Sequence, residues 1–206
     1  MAQYGRMRAV EASEWRRMRA SAVAGLVGGA LLTAVAALIH VVVTDAQFAV
    51  INWVGAVAML LVVAGLPALY LAERHWFGTL ARVAFGTLAV GWVVTAASLA
   101  LLAAGVDLAG LTFLVGWLVA MLGAFALGVL MLRSDGLTVP RLGAWLFVAA
   151  LPVGLPASVA FTTYVLGQGD TPWNGPLVLF GLAWVVVCRA LWSRRAGRAA
   201  SGTVPQ

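Results

Sequence analysis

The chain has 206 residues, 63% of them hydrophobic and 10% charged, with a mean hydropathy of +1.00. Soluble domains carry about 25% charged and 45–50% apolar residues, so this composition excludes an ordinary soluble fold. All thirteen basic residues are arginine, the formal net charge is +6, and a single cysteine, Cys188, excludes an intramolecular disulfide and any multi-cysteine metal site.

The stretch "SEWRRMRASAVAGLVGG" (13–29) packs Arg16, Arg17 and Arg19 together and then turns wholly apolar. With Arg6 and Arg8 these residues make 1–19 a basic segment. The apolar run that follows, 20–43, is 24 residues long. A cleavable signal has an apolar core of only about 7–15 residues, so the run reads as a first membrane helix. Five further runs follow at 48–71, 83–104, 110–132, 142–166 and 175–192. Each is long enough to cross a hydrocarbon core of about 30 Å. The expected fold class is therefore all-α: a polytopic bundle of six transmembrane helices over 20–192, with a basic tail at 193–206.

The joints carry the orientation signal. "TDAQ" (44–47), "GVDLA" (105–109) and "GQGDTPWN" (167–174) contain no arginine, and each holds one aspartate: Asp45, Asp107, Asp170. "AERHWFGTLAR" (72–82) and "RSDGLTVPR" (133–141) carry Arg74, Arg82, Arg133 and Arg141, and Arg194, Arg195 and Arg198 follow the last run. Arg189 lies inside the sixth run, near enough to its end to snorkel outward. Cytoplasmic loops retain positive charge, so both termini are expected in the cytoplasm of a bacterial cell. The leading arginines then orient the chain first and attract anionic lipid at the cytoplasmic face second. No nucleic acid partner is expected. Trp15, Trp76, Trp145 and Trp192 fall near one interface and Trp53 and Trp173 near the other, as an aromatic belt requires. Trp92, Trp117 and Trp184 lie deeper, where they are expected to pack between helices. Arg74, Arg133 and Arg194 recur about 60 residues apart, a spacing that either a duplicated hairpin or the charge rule alone generates.

Two strips of small residues recur at four-residue spacing: Ala20, Ala24 and Gly28, then Gly116, Ala120, Ala124 and Gly128. Such strips let backbones approach closely, either within the bundle or at a docking face for a second chain. In the fifth run, "LPVGLPASVAFTTY", Pro152 and Pro156 each remove a backbone donor. The result is a plain kink or one that lines a ligand site, as broken helices do in transporters. His40, Asn52, Thr112, Thr162, Thr163 and Asn174 all fall near the non-arginine ends of their runs. They form either a shallow polar pocket or a set of interhelical hydrogen bonds of about 0.6 kcal/mol each. Deeper hydroxyls such as Thr33, Thr95, Ser98 and Ser158 can bond back to their own helices.

The absences weigh as much. No carboxylate lies deep in any run, so a proton relay has no carrier. There is no lysine for a Schiff base, and two separated histidines with one cysteine make no metal site. Ser158 lacks a nucleophile-elbow setting. The expectation is a non-enzymatic protein without cofactor or metal.

"MLRSDGLTVPRLGAWLFVAALPVG" (131–154) and "FGLAWVVVCRALWSRR" (180–195) resemble segments of uncharacterised multi-span membrane proteins of GC-rich bacteria. That resemblance implies a class with no assigned activity. Six helices in about 200 residues, with Ala20-x-x-x-Ala24 and Ala30-x-x-x-Ala34 in the first, are also similar to the substrate-capturing subunits of energy-coupling-factor transporters. There the alanine strip docks a partner membrane subunit and longer outer loops cap the ligand; the arginine-free joints here are only four to eight residues. Two functions are thus expected. The first is a membrane component that packs against itself or a partner. The second is a carrier or binding subunit for a small neutral or lipid-like ligand.

Overall fold

The computed structural model describes residues 2–39, 45–167 and 173–193. Among them are seven helices and no strand: α1 Ala2–Leu38, α2 Asp45–Glu73, α3 Thr79–Ala103, α4 Ala109–Arg133, α5 Arg141–Ala150, α6 Gly154–Tyr164 and α7 Asn174–Ser193. Helix is what lipid demands, because every backbone N–H and C=O must find a partner within the segment. Five helices are long and apolar enough to cross a membrane, and α5 with α6 makes a sixth only if the bent pair is one span. The basic segment is not separate from the first span, since α1 runs unbroken from Ala2.

The fifth run departs from a single helix over 142–166. Its chain breaks at Leu151–Val153, and α6 turns from α5 by 57°. The two prolines explain the place. Pro152 cannot donate to Val148, nor Pro156 to Pro152, while Val153 N–H still donates to Ala149 O (2.9 Å) and Leu155 N–H to Leu151 O (3.2 Å). At the end of α3, Gly105 takes a φ of +86°. There Gly105 N–H reaches Leu102 O and Val106 N–H reaches Leu101 O, both at 3.0 Å. This pair of bonds closes a helix with a left-handed glycine and lets α4 start after a short turn.

Neighbouring helices pack in a ring, α1–α2–α3–α4–α5–α7 and back to α1, with α2 also meeting α7 across it. Aromatic rings fill the middle. Trp92 lies 4.6 Å from Phe180, Phe147 lies 5.3 Å from Phe180, and Phe180 stacks on Trp184 at 5.9 Å. The three deep tryptophans are buried as expected. Their indole N–H groups have no hydrogen-bond partner among the described residues, so packing alone holds these rings.

Lipid tails are as apolar as leucine, so helices associate here through close van der Waals contact. The small-residue strips supply it inside the bundle. A Cβ on Gly28 would come within 2.6 Å of Val62 N on α2, one on Gly116 within 2.8 Å of Thr95 Oγ1 on α3, and one on Gly128 within 2.9 Å of Ala144 O on α5. Ala120 and Ala124 are also buried, Ala24 is half-buried, and Ala20 is exposed. Thr33 and Thr95 donate back to Gly29 O (2.9 Å) and Gly91 O (2.7 Å) of their own helices, as read from the sequence.

Candidate functional site: an apolar cavity with two buried amides

At the end away from the arginine-bearing turns, the ring encloses a cavity of about 310 Å³ lined by α1, α2, α3, α4 and α7. Ligand pockets span about 300–1,000 Å³, so this one suits a small ligand. Among the described residues its walls are mostly aliphatic and aromatic, with the amides of Asn52 and Asn174 in the lining. Asn52 lies on the buried stripe of α2 that continues through Gly55, Met59 and Val62. That i, i+3, i+7 spacing is the inward face of a helix, so the amide points where a core leucine would. Asn52 is 6% exposed and makes no hydrogen bond among the described residues. Asn174 is the first residue of α7 and is 3% exposed.

The other residues of the expected polar layer go elsewhere. Thr112 is exposed; it accepts from Ser98 Oγ (2.9 Å) and donates to Ala109 O (2.9 Å), tying α3 to α4 beside their turn. Thr162 is buried and bonds back to Ser158 O at 2.9 Å, while Thr163, Pro152 and Pro156 are exposed. None of these five lines the cavity. The prolines therefore shape the bundle around the site without contributing to it. His40 lies outside the described residues.

The arginine-bearing end is built in the opposite way. Glu73, read from the sequence as part of a loop, is the last residue of α2 and is 0% exposed. One carboxylate oxygen accepts from Thr138 N–H (3.1 Å) and from the Thr138 hydroxyl, and the other accepts from Trp76 Nε1 at 2.6 Å. His75 Nε2 sits 3.1 Å from Gly136 O, and Phe77 and Val139 are buried beside these bonds. The turns after α2 and α4 are thus sewn together. Arg74 and Glu14 pair at 3.7 Å with both side chains half exposed, a contact of little stabilising value. The one sequence hint of the carboxylate's role was Trp76 three residues after it, on the side a last helical turn brings back.

Among the described residues, no group of three or more His, Cys, Asp or Glu side chains is placed to hold a metal ion. Among the described residues lining the cavity none is charged. Against those walls an ionised ligand would lose its hydration without compensation, whereas a neutral hydroxyl, carbonyl or amide could pair with Asn52. Fold and cavity together define a class, a multi-pass membrane protein with a small apolar cavity near one end of its helix ring. Compared with known proteins, the chain matches no family model, and no curated protein or solved structure shows significant similarity to it.

Proposed function

We propose that this protein is a non-enzymatic carrier or binding subunit for a small neutral, lipid-like ligand. The observation that carries the reading is Asn52, a buried residue whose amide borders a mainly apolar cavity. A ligand's polar group would give that amide a hydrogen bond worth about 0.5–1.5 kcal/mol. The competing reading, docking of a second chain through small-residue strips, loses most of its surface, because Gly28, Gly116, Ala120, Ala124 and Gly128 are spent inside the bundle. Replacing Asn52 with leucine is expected to leave the empty protein as stable as before or slightly more so. It should weaken binding of a monoacylglycerol about tenfold, close to 1.4 kcal/mol, read as a smaller ligand-induced rise in unfolding temperature. Equal shifts in the two proteins would overturn the reading. Pro156→Ala, away from the cavity, should leave equilibrium binding unchanged.

In this reading α5 and α6 together form one bent span, the protein crosses a bacterial cytoplasmic membrane six times, and both termini and every arginine face the cytoplasm. Anionic lipids gather at that face, and the cavity faces the exterior. A membrane-impermeant maleimide applied to intact cells should then label Val106→Cys, in the exposed turn after α3, and spare His75→Cys, in the exposed turn after α2. The reverse pattern would invert the protein and place its cavity toward the cytoplasm.

A further inference from the structure

We propose that the ligand is a single-chain neutral amphiphile that enters from the surrounding bilayer, sideways between α4 and α7, through the place that α6 vacates in the ring. The inference rests on the reading of the cavity as a ligand site and adds the route and the ligand's source.

The argument starts on α4. Leu114 and Met121 are seven residues apart and so project from nearly the same face of the helix. Met121 is 1% exposed at a level where α5 packs on α4; Leu114, nearer the cavity end, is 37% exposed. The difference follows from the break at Leu151–Val153. Past it, α6 swings out by 57° and packs against α7, with no packed interface to α4. Only Gly154, Ser158 and Thr162 of α6 are buried, one face at four-residue spacing. Leu114 is thus left uncovered while it also lines the cavity, and the first residues of α7 line the cavity on the other side of the gap. Among the described residues the two flanks of the vacated place are walls of the cavity, and the proposed route joins the cavity to the lipid phase there.

Size and polarity name the guest. At about 310 Å³ the cavity lies at the small end of the range for ligand pockets, which suits a single hydrocarbon chain. Asn52 can hold one neutral polar group, and no described lining residue carries a charge to pair with a phosphate.

The test uses the full chain in vesicles whose lipid includes a diazirine-bearing monoacylglycerol, with adducts on cavity-lining peptides counted after brief illumination. Leu114→Cys, modified with a bulky lipid-soluble maleimide, is expected to lose at least tenfold of the adducts formed by the unmodified variant. The same modification at Leu122→Cys, exposed on α4 and outside the cavity lining, should change nothing. Wild type serves as a second control, since its buried Cys188 is shielded from the reagent. Unchanged adduct formation in modified Leu114→Cys would overturn the lateral route alone and leave the cavity as a site reached from water. Absence of cavity adducts in wild type would overturn both the route and the ligand reading beneath it.

Discussion

Replacing Gly91 with valine is expected to destabilise the bundle by about 3 kcal/mol or more relative to the same change at Gly86, five residues earlier on the same helix. At Gly91 a Cβ would fall on the backbone nitrogen and Cα of Ala120, at the crossing of α3 and α4. A side chain can rotate away from an intruding methyl; a backbone cannot. The two helices would have to separate, and the dispersion contacts along their whole shared face would weaken together. Trp92, next in sequence, would be drawn off Phe180 in the process. Gly86 has nothing within 4 Å of its would-be Cβ, so Gly86→Val carries the intrinsic helix terms without the clash. Reversible unfolding of the two purified variants in mild detergent separates the effects. Equal stabilities would mean that the α3–α4 crossing is looser than described.

A second large loss is expected at the arginine-bearing end of the molecule. Glu73→Ala removes the acceptor for three donors: the N–H and hydroxyl of Thr138 and the indole N–H of Trp76. Each orphaned donor costs about 1–3 kcal/mol when buried. Thr138 is exposed and Trp76 half-buried, so water recovers part of the loss. The expected net effect is about 2–3 kcal/mol, together with faster proteolysis in the turn at 134–140. Glu73→Gln keeps one acceptor oxygen but sets an amide N–H₂ against either Trp76 or Thr138, so about half the loss should return. Unfolding curves and cleavage rates of both variants decide the matter. If alanine and glutamine match wild type, the carboxylate does not hold the two turns together.

The second expectation belongs to an asymmetry between the two ends. The arginine-bearing end is closed by a buried carboxylate spanning two turns, and the other end holds a cavity with no such tie among the described residues. Under the proposed function, such a protein exchanges its ligand at the hollow end while the arginine-bearing half stays a rigid base. The aromatic cluster of Trp92, Phe147, Phe180 and Trp184 is buried within that base.

Much of the architecture was written in the order of residues. Helices dominate because a long apolar run in lipid has no other way to satisfy its backbone, and run lengths are counted directly from the chain. The burial of Trp92, Trp117 and Trp184 followed from their depth within those runs. Other features needed the third dimension. Asn52 and Thr112 look alike in sequence, polar residues near the same end of their helices. One faces a cavity and the other bonds to Ser98, because the rotation of each helix about its axis is set by glycine crossings with its neighbours. Pro152 and Pro156 announce a break but carry no information about its direction; the seat that Gly154 finds beside Pro176 on α7 decides which way α6 leaves the ring. Glu73 looks like a solvated turn residue until Thr138, 65 positions away, is brought against it. Local chemistry thus prescribes which segments become helices and where they break, since those preferences act within a few residues. Which groups meet depends on close packing between distant segments, and that exists only once the ring has closed.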